Sequence, residues 1–200
     1  EWRGKVAAGG GEVPRDVRAQ LRGAIDAVFH SWNSRRARRY REHHGIPHDL
    51  GTAVNVQAMV FGNMDDLSGT GVLFSRNPLN GEPAPYGEFL RRAQGEDVVS
   101  GRHTPMPLDD LKALLPEVHG ELLAAARRLE EEAGDVQDIE FTLERGTLYL
   151  LQTRAAKRAP TAALRIARDM VDEGHLSPNE ALRRISSEQV RILLSPRLAA

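Results

Sequence analysis

The chain has 200 residues with 27 basic and 28 acidic side chains, a formal net charge of −1, and no cysteine. That balance gives no long-range pull on nucleic acid or on an anionic membrane. The missing cysteines exclude a disulfide framework and thiolate metal sites.

Residues 1–13 are polar and Gly-rich, with neither an apolar h-region nor an initiator Met. They read as a linker, and the chain as a piece of something longer. No apolar run approaches the ~20 residues a membrane helix needs. Pro14 suits a first helical turn. Val17, Leu21, Ile25, Val28 and Trp32 then recur at steps of three and four, which predicts one apolar helix stripe. The same helix is expected to continue through "SRRARRYREHHG" to Gly45. Its basic run reads as a solvated face rather than a nucleic-acid patch. His43, His44 and His48 read as surface residues.

"TAVNVQAMV" (52–60) alternates as a strand does. "FGNMDDLSGTG" reads as a turn-rich loop and "VLFSR" as a second strand. "NPLNGEPAPYG" is a loop by its Pro and Gly content, "EFLRRAQG" is too short to assign, and "EDVVSGRHTPMP" reads as a strand-like piece before a turn. Leu108, Leu111 and Leu115 mark a short helix. Pro116 restarts the chain, with Val118, Leu122, Ala125 and Leu129 as a stripe and Gly134 as the stop. The tail is helical: Leu164, Ala167, Met170 and Val171 share one side, Pro178 opens a segment, and Ser187 opens the last helix.

The most informative stretch is "DVQDIEFTLERGTLYLLQTR" (135–154), two strands and a tight turn. Asp138, Glu140 and Thr142 share one face of the first strand, and Ile139, Phe141 and Leu143 the other. On the second strand, parity groups Leu148, Leu150, Gln152 and Arg154 against Tyr149, Leu151 and Thr153. A two-residue loop would pair Glu140 with Leu151 and split the polar groups between faces. A three-residue loop, Arg145-Gly146-Thr147, or a bulge would pair Glu140 with Gln152 and Asp138 with Arg154. Converged, two carboxylates and an amide oxygen are hard ligands suited to Mg²⁺ and its waters, and Arg154 presents a fork to phosphate. The bland alternative is an exposed Asp138–Arg154 ion pair. Elsewhere, Gly69 and Gly71 around Thr70 suggest close approach by a ligand. Glu88, Glu96 and Asp97 are three acids within ten positions. No H-E-x-x-H occurs, and the seven histidines are scattered.

"GTAVNVQAMVFGNMDDLSGTGVLFSRNP", "YGEFLRRAQGEDVVSG", "DIEFTLERGTLYLLQTR" and "DMVDEGHLSPNEAL" occur in this order. Together with "QLRGAIDAVFHSW" and "RARRYREHHGI" they resemble the ATP-binding region of the pyruvate phosphate dikinase family, over about residues 14–198. The resemblance implies an α+β ATP-grasp lobe (14–158) with an antiparallel sheet and packed helices. It also implies a helical extension (159–200) leading toward a phosphohistidine domain not present here. It implies a cytoplasmic phosphotransferase in which ATP, pyruvate and phosphate give AMP, phosphoenolpyruvate and diphosphate through a histidine carrier. By motif position, Asp138, Glu140 and Gln152 are implied as Mg²⁺ ligands, with Arg154 and Glu140 as the catalytic pair. Gln57, Met59 and Val60 are implied to line the adenine pocket. Ser68, Gly69, Thr70 and Gly71 form the adjacent loop, with Glu88, Glu96 and Asp97 as acids of the same cleft. Implied partners are ATP and the enzyme's other domains: the first ATP-grasp lobe, the phosphohistidine domain and a barrel. A homodimer would form through those domains, and neither nucleic acid nor membrane is implied. Arg92, His103 and the Met64–Leu67 stretch depart from the family pattern. Open alternatives are a dikinase with another acceptor, such as a phosphoenolpyruvate synthase-like enzyme, and a non-catalytic nucleotide-binding module.

Overall fold

A computed structural model describes residues 13–99 and 104–195. Most of the expected 1–13 linker, and residues 100–103 of the expected strand-like piece, lie outside the described residues. The chain divides into two compact units, residues 1–58 and 59–200.

In the first unit, α1 (Val17–Ser31) and α2 (Arg35–His44) replace the single helix expected. Asp16 caps α1, so Pro14 lies before the helix rather than in its first turn. The break falls at Trp32-Asn33-Ser34, where the Ser34 side chain accepts the Ala37 N–H and starts a new helix. Side chains of this type compete with helix continuation and favour caps. Gly45 ends α2 in the left-handed conformation, φ 64°. The α1 stripe is not a core: no residue of α1 is buried. Among the described residues of this unit, the buried one is instead Arg41, from the basic run expected to be solvated. Its guanidinium lies 3.8 Å from the Trp32 ring centroid, and it donates to Trp32 O at 2.8 Å and His48 Nδ1 at 3.0 Å. A stacked, hydrogen-bonded guanidinium is one of the few forms in which an arginine buries well.

Residues 52–60 form no strand. The alternation is real, but an isolated strand leaves its N–H and C=O groups without a ladder. Val56 and Met59 are exposed.

The second unit is built on a five-stranded antiparallel sheet in the order β3-β2-β1-β4-β5. The strands are β1 (Gly69–Phe74), β2 (Tyr86–Arg91), β3 (Met106–Pro107), β4 (Gln137–Glu144) and β5 (Thr147–Ala155). β1 takes in the Gly-Thr-Gly expected to be loop, and "EFLR" falls in β2. The piece expected to be strand-like begins as a short helix, α3 (Gly95–Val99).

Helices α4 (Leu108–Leu114) and α5 (Pro116–Ala133) cover one sheet face. Leu108, Leu111, Val118, Leu122 and Ala126 pack there against Leu73, Phe89, Ile139, Phe141 and Leu143. Ala126, not Ala125, is the buried alanine of the α5 stripe. A second core joins Val136 and Ala156 to α6 (Pro160–Asp172) and α7 (Pro178–Arg184), with α8 (Ser187–Leu194) closing the chain. In α6 the buried side is Ala162, Ala163, Ile166, Ala167 and Met170; Leu164 is exposed. The stripe is therefore rotated from the one expected, because small alanines allow α6 to sit close. The unit is thus α+β, with α4 and α5 on one face of the sheet; the opposite face, open between its ends, meets the second core at Val136, Phe74 and Ala156.

Candidate functional site

The open face carries the polar parity of β4. Cross-strand partners point to the same side of a sheet, so the register defines rows. Asp138 pairs with Arg154 and, on its other side, with Phe74, which pairs with Tyr86. The next row is Glu88, Val72, Glu140 and Gln152. The third is Leu90, Thr70, Thr142 and Tyr149. Glu88 and Glu140 flank Val72, about 10 Å apart by strand spacing.

The expected pairing is present, but by the other route. The turn is the two-residue Arg145-Gly146, with φ 53° and 80°, closed by Glu144 opposite Thr147. Two successive positive φ values mark the tight turn whose twist suits a hairpin. A register shift between Glu140 and Phe141 then moves Glu140 from Leu151 to Gln152. Leu151 is the extra residue of this bulge. It also regroups β5: Tyr149 falls on the open face with Gln152 and Arg154, against the grouping expected from parity.

Both ends of the hairpin are pinned. At the turn, Ser68 Oγ accepts the Arg145 N–H at 3.0 Å and donates to Asp65 Oδ1 at 2.7 Å, and Gly146 N–H donates to Leu67 O at 3.0 Å. At the far end, Arg154 Nε donates to Asp138 Oδ2 at 2.8 Å and Thr153 Oγ1 to Gln137 Oε1 at 2.9 Å. Between these pins β5 has one residue more than β4, and a bulge absorbs it.

Asp138 is buried, whereas Glu140 is half-buried and Gln152 exposed. Arg154 Nη2 lies 3.9 Å from Glu140 Oε1. Its hydrogen bond to Asp138 raises the guanidinium pKa further, so Arg154 is a permanent cation. Among the described residues no group of three or more His, Cys, Asp or Glu is placed to hold a metal. The donor set of Asp138, Glu140 and the Gln152 amide still fits Mg²⁺, which takes one or two carboxylates and completes its shell with water and phosphate.

The other expected residues are dispersed. Glu88 shares the Glu140 row. Thr70 lies on the open face, but its hydroxyl is spent on Phe141 O and Thr142 Oγ1. Ser68 is fully buried beneath the turn. Gly69 and Gly71 face the core, where a Cβ would meet the Phe89 and Phe141 rings. These glycines make room for packing instead of forming a loop. Met59 and Val60 sit beside Phe61, whose N–H donates to Glu144 Oε2 at 2.7 Å at the turn end of the open face. Gln57 belongs to the first unit. Asp97 Oδ2 accepts the Gln94 N–H at the start of α3, beside Glu96. Two residues went unmarked in the sequence. Tyr149 was hidden by the bulge, and Arg76, buried by Glu130 and Glu173, lay in a stretch read only as strand.

Residues 15–111 match the family model described as pyruvate phosphate dikinase, AMP/ATP-binding domain. The chain is 50% identical over 192 residues to a pyruvate, phosphate dikinase of Clostridium symbiosum, covering 96% of this chain and 22% of that protein. It is 50% identical over 191 residues to the chloroplastic pyruvate, phosphate dikinase 1 of Arabidopsis thaliana (96% and 20%) and 50% identical over 195 residues to that of Rhizobium meliloti (92% and 22%). The chain thus spans about a fifth of the length of these relatives. No described helix is long and apolar enough to cross a membrane.

Proposed function

Because the chain belongs to the pyruvate phosphate dikinase AMP/ATP-binding domain family, we propose that it is a nucleotide-binding lobe of such a dikinase. In this reading it presents ATP for phosphoryl transfer to a histidine on another domain, in the cytoplasm, within a route from ATP, pyruvate and phosphate to AMP, phosphoenolpyruvate and diphosphate. The observation that carries it is the placement of Asp138, Glu140, Gln152 and Arg154 in two adjacent rows of one open face. The similar proteins reported above are all named dikinases, which disfavours a different acceptor or a non-catalytic module.

The work of the lobe is positioning and charge neutralisation. Glu140 and Gln152 hold Mg²⁺, with Asp138 as a third oxygen donor or as the partner that orients Arg154. The ion, when bound, offsets phosphate charge. Arg154, steered by its Nε bond to Asp138, offers its Nη groups to a phosphate in a fixed plane. Met59 and Val60 line the adenine side. Ser68, Gly69, Thr70 and Gly71 shape the strand beneath the nucleotide, and Glu88, Glu96 and Asp97 border the cleft. The first ATP-grasp lobe, phosphohistidine domain and barrel supply the rest of the reaction. Residues 14–158 and 159–200 divide into lobe and extension.

Glu140→Gln in the full-length protein is expected to weaken Mg²⁺-dependent ATP binding by about tenfold or more, the ~1.4 kcal/mol a lost charged ligand readily exceeds. Titration calorimetry at fixed Mg²⁺ measures it. Unchanged binding and an unchanged phosphoryl-transfer rate would sink the metal assignment.

A further inference from the structure

Tyr149 lies two positions from the Glu140–Gln152 row, opposite Thr142, on the same open face. Tyr149 is 42% exposed, and its hydroxyl has no hydrogen-bond partner among the described residues. The neighbours in its row are not available to a ligand in the same way. Thr70 and Thr142 are buried with their hydroxyls facing one another, and Leu90 is partly buried. Strand parity alone would set Tyr149 and Gln152 on opposite faces. The bulge at Leu151 is what brings them to one side, and the pins at Ser68 and Asp138 hold the bulge between them.

The hairpin also has a direction. At its turn end Glu144 holds the Phe61 N–H, and with it the segment that carries Met59 and Val60. At the far end stand Asp138 and Arg154. Successive rows are ~6.8 Å apart along the strand. Tyr149 therefore stands between the proposed base-lining segment and the proposed phosphate-binding groups.

We infer that Tyr149 is a nucleotide-binding residue whose ring contacts the nucleoside part of the bound nucleotide. Resting on the nucleotide reading above, this adds a contact that parity had placed on the wrong face. Aromatic rings contribute large, rigid contact area against sugars and bases.

The test compares Mg-ATP with Mg-tripolyphosphate, which carries the phosphate chain without the nucleoside. Both are titrated into the full-length protein. Tyr149→Thr keeps a residue suited to a strand. It is expected to raise the Kd for ATP about tenfold and to leave tripolyphosphate within about twofold. Tyr149→Phe, which keeps the ring, is expected to stay near wild type for both. Unchanged ATP affinity in Tyr149→Thr overturns the inference; the ring would then cover another part of the protein. Equal loss for both ligands also overturns it, because a merely structural role would weaken the whole face. Glu140→Gln, run alongside, weakens both ligands. Its failure to do so would count against the metal assignment, whereas the ratio between the two ligands in the Tyr149 variants bears on this inference alone.

Discussion

Gly71→Ala is expected to destabilise the sheet unit by about 3 kcal/mol, at the upper end of ordinary overpacking costs. The added Cβ would meet Glu88 O of the paired strand and lie 2.6 Å from Phe141 Cζ. Neither neighbour can give way cheaply. The carbonyl belongs to a strand paired on both sides, and the Phe141 ring is stacked on Phe89 at 6.1 Å with the planes 6° apart. β1 is the central strand, so the strain reaches both ladders. Calorimetry should show the melting temperature lowered by roughly 10 °C for a unit of this size. Gly120→Ala is the internal control. That glycine lies within α5 with nothing within 4 Å of a Cβ, and the same change there should stabilise by ~0.4–1 kcal/mol. A Gly71→Ala protein as stable as wild type would mean that the glycines of this strand serve a ligand and not the core.

The second large effect is expected at Arg76. Arg76 is 6% exposed; its Nε donates to Glu130 Oε1 at 2.8 Å and its Nη1 to Glu173 Oε1 at 2.8 Å. Ser75 Oγ also donates to Glu130. The cluster ties α5 and the C-terminal end of α6 to the end of β1, and so joins the two hydrophobic cores. Arg76→Met fills the space but leaves the largely buried Glu130 carboxylate without its cation. Losing one partner of a buried pair costs ~3–5 kcal/mol. Arg76→Lys should recover only part of this, because an ammonium cannot bridge two carboxylates with a planar fork.

The pH dependence has a definite sign. The Arg76 hydrogen bond holds the Glu173 carboxyl below its ordinary value near 4.5. A depressed carboxyl pKa contributes stability that is present above the unfolded value and lost as pH falls through the folded one. The gap between wild type and Arg76→Met should be widest at neutral pH and narrow below about 4.5. Urea unfolding at pH 7 and pH 4 measures both numbers. A gap that does not change between them would remove the ion pair as the cause.

Much of this architecture was legible in local sequence. Alternation in 138–143 separated the polar from the core face of β4 correctly, because side-chain parity is a property of the strand alone. Pro116 and Ser187 marked the first residues of helices and Gly134 a helix end, through local signals that need only neighbouring residues. The order of motifs was enough to indicate the family. Longer-range questions went differently. Alternation in 52–60 predicted a strand, but a strand exists only where another edge supplies a ladder. Ser34 broke a helix that was expected to run on to Gly45. The glycines of "SGTG" looked like loop formers, but they are set by two phenylalanines from distant strands.

The hairpin contains both cases. Its sequence determined that Asp138 and Glu140 stand off the apolar face and that a tight turn lies near Gly146. Whether Glu140 meets Gln152, and on which side Tyr149 lies, was decided by tertiary structure. Those questions depend on how many residues each strand places between two fixed points. The fixed points are Ser68 holding Arg145 at one end, 77 positions away in sequence, and Asp138 holding Arg154 at the other. A count between pins cannot be read from parity, because a single extra residue reverses every side chain beyond it.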